Sequence, residues 1–275
     1  QRVDPTMSLA EIQLAAHTRL ENFRRLRPQD SNGLFLLAQI FIALDLDYEG
    51  AEAAALEGIR QNPEWIWWRT FLARVALREG RFEDALRYLK IDAGLDFQTE
   101  APEFLATYAA VLRHAGEYRA SLAATDKAIS MLHAGGRRSQ VLLIRAHTLL
   151  DMGQEQAGQV ALNQAWSEAG GEHPEAFIQA YVRLGEIEYA QQLLAESVPE
   201  LGNRGNIISG AIALQNYELA LDLISDGIQD HDSSVLDSLR SNPEWEPIRD
   251  HERYHRQMTV LAAKEKTTAA YTPTR

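Results

Sequence analysis

Along most of the chain, apolar and small residues recur three or four positions apart rather than on alternate residues, which is the spacing of one helix face. No period-two stretch of useful length competes, so the pattern predicts helices and no sheet. A phrase repeats inside it: a small residue, a glycine two helical turns later, an aromatic or aliphatic residue, then a second small residue. It reads Ala73, Gly80, Phe82, Ala85, then Ala109, Gly116, Tyr118, Ser121, then Ala146, Gly153, Glu155, Gly158. Weaker copies follow at Gly185, Ile187, Ala190 and at Gln215, Tyr217, Ala220, and a looser one runs from Ser31 through Asp47 and Tyr48 to Asn62 and Pro63. The turn positions 80, 116, 153, 185 and 215 lie 36, 37, 32 and 30 residues apart, close to a helix-turn-helix period of about 34.

Each unit has room for two helices of three to four turns joined tightly, because glycine takes the left-handed conformation at a helix end at little cost. Pro28, Pro63, Pro102, Pro174 and Pro199 fall between units or at expected helix starts, where a missing amide hydrogen matters least. Ala73, Ala85, Ala109, Ala128, Ala146, Ala165 and Ala190 let adjacent helices approach, and Leu72, Leu89, Leu112, Leu149, Leu162 and Leu194 fill the remaining volume.

With its small residue, turn glycine, aromatic two residues later, alanine three further on and proline between units, the sequence resembles the tetratricopeptide repeat family. The second and third repeats match best, although Asp92 and Thr125 stand where that family has an alanine and an aromatic. The resemblance implies an all-α, right-handed superhelix of about six hairpins over residues 31–230. An N-terminal capping helix is expected within residues 1–30, opened by the capping box Ser8-Leu9-Ala10-Glu11 and running to about Arg27. At the other end, Asn242-Pro243-Glu244-Trp245 and Arg253-Tyr254 resemble the closing element of tetratricopeptide regions in bacterial multidomain regulators, of the adenylate cyclase and winged-helix transcription factor types. That likeness implies a capping element over residues 231–263, with Trp245 and Tyr254 pressed onto the last repeat. The usual Asp-Pro-Arg-Phe is here Glu252-Arg253-Tyr254 preceded by His251. Residues 264–275 lack apolar periodicity and are expected to be disordered.

Composition narrows the function. The 27 Lys plus Arg against 39 Asp plus Glu give a net charge of −12, which disfavours a nucleic-acid partner. There is no cysteine among the 275 residues, so disulfides and thiolate chemistry are excluded. No apolar run approaches the roughly 18 to 20 residues that cross a bilayer; the longest, from Leu34 to Leu44, is interrupted by Gln39. The start at Gln1, without the features of a signal peptide, reads as a mature or trimmed product. A cytoplasmic location is expected, or a periplasmic one if an upstream signal was removed.

Several constellations bear on chemistry. His251-Glu252-Arg253-Tyr254-His255 is a literal H-E-x-x-H, whose spacing puts two imidazoles on one helical face beside a glutamate, as in zinc hydrolases. Its surroundings are polar rather than apolar, and Glu265 is the sole carboxylate downstream that offers a third ligand. A capping helix with an accidental match is the competing reading. Trp65, Trp67 and Trp68 read either as an aromatic cage or as packing between the first two repeats. Gly135-Gly136-Arg137-Arg138 reads as a phosphate-binding helix start or as a loop between repeats. No other enzyme signature is present, and no cofactor or metal is expected.

In tetratricopeptide proteins the first helix of each repeat lines the concave surface, and the resemblance carries that position by position onto Trp67, Arg74, Arg78, Arg113, His114, His147, Gln179 and Arg183. Those residues form either a solvated polar face or a groove for an acidic or polar peptide, in which arginine binds carboxylates bidentately. The implied function is that of a non-catalytic scaffold for a partner protein or peptide. The alternative is the sensory or regulatory region of a transcription regulator or nucleotide cyclase.

Overall fold

The computed structural model describes residues 9–26, 31–42, 46–63, 65, 67–89, 102–200 and 202–269. All regular structure among them is helical. Helix α1 (Leu9–Leu26) precedes six hairpins, and α1 packs on the first of them. The hairpins are α2 (Ser31–Ile40) with α3 (Tyr48–Gln61), α4 (Trp67–Arg78) with α5 (Phe82–Leu89), and α6 (Pro102–His114) with α7 (Tyr118–Met131). They continue as α8 (Gly136–Asp151) with α9 (Glu155–Ala169), α10 (Ile178–Arg183) with α11 (Ile187–Glu200), and α12 (Arg204–Ala213) with α13 (Tyr217–Gln229). A tighter 3-10 turn, Pro174–Phe177, leads into α10. The chain ends in α14 (Ser233–Leu236), a 3-10 turn at Pro243–Trp245, α15 (Glu246–Arg249) and α16 (Glu252–Ala269). The two helices of each hairpin pack on each other and each hairpin packs on the next, giving an all-α solenoid.

The turns carry the repeat. Gly80, Gly116, Gly153 and Gly185 all sit at φ between +72° and +80°, and the amide after each returns to the carbonyl five residues earlier, as Gln154 N does to Leu149 O at 2.9 Å. That closure satisfies the carbonyls the helix end leaves unpaired. The last hairpin makes the same closure with Gln215 at φ +60°, and the first turns at Leu46 with φ +53°. A non-glycine residue in this conformation costs roughly 1–2 kcal/mol. In compensation, Asp47 and Asn216 cap the helices that follow, accepting from Gly50 N at 2.9 Å and Leu219 N at 3.3 Å.

Between hairpins one and two, Trp68 is fully buried and meets Trp65 and Phe35 edge-on, with ring centroids 5.3 Å and 5.4 Å apart. It packs so close to α3 that a Cβ on Gly58 would lie 2.1 Å from its indole. Trp65 and Trp68 are packing residues, therefore, and Trp67 alone of the three turns toward the surface. Thr125, off the family pattern, donates to Leu122 O in its own helix; Asp92 lies outside the described residues.

The C-terminal element closes the array on two sides. Trp245 is buried against hairpin six, where its Nε1 donates to Ser209 Oγ at 2.9 Å, and the buried Tyr254 donates its hydroxyl to Leu239 O. The same element also reaches hairpins far earlier in the chain. Asp237 pairs with Arg78 and, at 3.0 Å, with Arg74. Arg240 donates to Arg78 O at 2.9 Å, and Glu244 pairs with Arg113 at 2.8 Å. One apolar cluster accordingly joins hairpin one to hairpins four to six and the C-terminal element, while much of hairpins two and three forms a second.

Two sequence expectations change. Helix α16 continues past Lys264 to Ala269 instead of fraying there, because Lys264 Nζ donates to Ile228 O at 3.0 Å and Glu265 pairs with Arg240 at 3.0 Å. Long-range partners of this kind leave no periodic trace in the sequence. Pro199 lies within the last turn of α11 rather than between units. Ser8 and Pro28 fall outside the described residues, as do residues 270–275.

Candidate functional site

The first helices of hairpins three to six and the C-terminal element surround a cavity of about 600 Å³. Helix α6 supplies Arg113 and His114, α8 supplies Gln140 and His147, and the turn and helix of hairpin five supply Glu175 and Gln179. Hairpin six adds Asn203, Asn206 and Ser209, and the C-terminal element adds Ser238, Asn242 and Glu244. Local sequence explains two of these placements. Gln140 and His147 stand seven residues apart on one helical stripe, and Asn203 is fixed by capping α12 through Asn206 N at 3.1 Å.

The arginines here are occupied by carboxylates. Arg113 pairs with Asp151 and with Glu244, and Arg183 pairs with the other oxygen of Asp151 at 2.7 Å. Burial works against the Arg113 cation, but Glu244 and Asp151 override it and hold its pKa up. Burial likewise pushes the Glu244 carboxyl up; Arg113, with smaller help from His147 and His114, reverses this and brings it down to about 2. His147 is brought down to about 3, first by burial and then by the Arg113 charge, and His114 is lowered for the same two reasons. Both imidazoles are neutral near pH 7 as a result.

One neutral group is not occupied. His147 is 7% exposed, and its Nδ1 is buried without a hydrogen-bond partner among the described residues. An unpaired buried polar atom costs about 1–3 kcal/mol, so a group that supplies the missing partner is stabilised by it.

Of the eight residues carried over from the resemblance, Arg113, His114, His147 and Gln179 meet at the cavity. Arg183 joins them only through Asp151. Arg74 and Arg78 are held by Asp237, and Arg78 is 0% exposed, with its Nη1 donating to Ile42 O. Trp67 is 37% exposed on the surface and lines no part of the cavity. Sequence reasoning missed Gln140, Glu175, Asn203, Asn206 and Glu244. Gln140 carried a signal, the seven-residue step to His147; Glu244 carried none, since its neighbour Arg113 is 131 residues away.

His251 and His255 are exposed at the start of α16, where His251 Nδ1 accepts from Arg253 N at 3.3 Å. Glu265, the carboxylate noted downstream, is held by Arg240, and among the described residues no group of three or more metal-ligating side chains comes together. Gly136 opens α8, and Arg138 is paired with Glu168 at 2.6 Å. No described helix is long and apolar enough to cross a membrane.

No model of a known protein family matches the chain, and no curated protein does. Among solved structures, the chain is similar to a tetratricopeptide repeat protein from Parabacteroides merdae, at a TM-score of 0.47 and 12% identity, over 87% of this chain and 98% of that one.

Proposed function

We propose that the protein is a non-catalytic interaction scaffold that holds a segment of a partner polypeptide in its concave cavity. The observation that carries this reading is the buried, unpartnered His147 in a preformed cavity of about 600 Å³, within the range of roughly 300–1,000 Å³ usual for ligand sites. Preformed walls reduce the ordering cost of binding. The cavity admits a few residues of a partner, and the remaining contacts of such a partner would fall on the rim.

A second reading, the regulatory region of a larger regulator, is favoured by one feature. Glu244 both lines the cavity and fixes the C-terminal element to hairpin three, so occupancy of the cavity bears on the position of the chain end.

The test is site-specific photocrosslinking. A benzophenone amino acid at Gln140, inside the cavity, is expected to trap a discrete partner, whereas the same probe at the exposed Gln192 on α11 traps none. Equal trapping at both positions, or trapping at Gln192 alone, would place binding elsewhere.

A further inference from the structure

We infer that the cavity selects a basic partner segment, whose lysine ammonium or arginine guanidinium pairs with Glu175 while its backbone lies against His147 and Gln179. This rests on the concave-site reading above and names the chemistry of what enters.

The argument is one of charge balance. The two cations beside the cavity, Arg113 and Arg183, are matched by the two carboxylates Asp151 and Glu244. What remains on the wall is acidic: Glu172 and Glu175. Glu175 is only 3% exposed, yet its Oε1 accepts one neutral donor, Asn203 N at 3.0 Å, and lies 3.4 Å from Nδ1 of the largely exposed His173. No arginine or lysine pairs with this carboxylate among the described residues. A buried carboxylate supported so thinly is short of a cation, because burying a charge is costly unless it is paired.

A Cβ on Gly202 would lie 2.8 Å from Glu175 Oε1, so glycine there lets the backbone pass this close to the acid. An anionic segment, by contrast, would meet Glu172 and Glu175 with no unmatched arginine to receive it. The arginines carried over by the resemblance are thus taken up by the protein's own carboxylates.

The experiment uses the full chain and three blocked tripeptides, Gly-Lys-Gly, Gly-norleucine-Gly and Gly-Glu-Gly, titrated calorimetrically. The lysine peptide is expected to bind about tenfold tighter than its norleucine counterpart, the size of one charge-assisted hydrogen bond, and the glutamate peptide to give no binding. Glu175→Gln is expected to abolish the lysine preference, bringing the ratio of lysine to norleucine affinity to about one. If thermal unfolding shows that this variant does not fold, the lysine-against-norleucine ratio in the unmutated protein decides by itself. A ratio near one, or tighter binding of the glutamate peptide, overturns the inference. If crosslinking from position 140 persists alongside that result, the concave-site reading stands and only its basic preference falls. If crosslinking fails as well, both fall.

Discussion

The two ends of the concave face start from the same raw material and finish differently. Toward the N-terminal end, Arg74 and Arg78 of α4 are taken up by Asp237 of the C-terminal element, and that part of the face is filled by the protein's own chain. Further along, Arg113, His114 and His147 border an open cavity in which the arginine is paired but the buried Nδ1 of His147 is left without a partner among the described residues. The difference teaches that a stripe of basic residues on a repeat surface says little about a ligand until its internal partners are known. An ion pair spends a cation; a desolvated neutral imidazole keeps its capacity to bind.

The sharpest way to break this comparison is to unlock the filled end. Asp237→Ala leaves the Arg78 guanidinium buried with Ile42 O as its remaining acceptor, and is expected to cost about 3–5 kcal/mol. Urea unfolding measures it, and a compensating Arg78→Met in the same chain is expected to recover most of the loss. Recovery of none would mean that Asp237 acts through something other than Arg78.

At the open end the expected effect is smaller and depends on pH. His147 takes a proton near 6.5 when unfolded but only near about 3 when folded. Between those values the unfolded state holds more protons, so stability falls as pH falls, by about 2 kcal/mol from pH 7 to 5. Glu244, brought down to about 2, adds a further loss as pH drops below its unfolded value of 4.5. Unfolding midpoints at pH 7, 6 and 5 check this, and His147→Gln is expected to flatten the slope.

Smaller still are the turns that hold both ends in register. Gly153→Ala is expected to cost about 1 kcal/mol, since φ there is +72°, whereas Gln215→Gly at the equivalent turn is expected to be neutral or to gain a few tenths. Paired thermal unfolding of these variants separates turn strain from packing. Least of all, Arg253→Ala removes exposed pairs with Glu218 and Asp222 and is expected to change stability by less than about 0.5 kcal/mol. A loss as large as that at Asp237 would erase the distinction between buried and surface pairing.

Much of the fold was legible because it is written locally. Glycines at 80, 116, 153 and 185 mark helix ends, since a positive φ favours glycine over every other residue. The same logic extended to Gln215 by period, not by residue type. At Leu46 it gave no warning, because a leucine carries no turn signal. Half of the concave residues carried over by resemblance reached the cavity, and Arg74 and Arg78 did not, because their fate depends on an aspartate more than 150 residues later. Gln140 could have been found by its helical step from His147, and Asn203 by the preference of asparagine for helix N-caps; Glu175 could not, because a 3-10 turn places it.

Sequence alone thus determined the units: which residues turn, which faces bury, and that the chain is an array of helical hairpins. These features arise from interactions within a few tens of residues, where backbone preference and apolar spacing suffice. Tertiary structure decided which charges are spent and which polar groups remain open. That follows from the array bending back on itself, so that Asp237 meets Arg78 and Glu244 meets Arg113. Coulomb pairing depends on distance in space, and no local pattern encodes it.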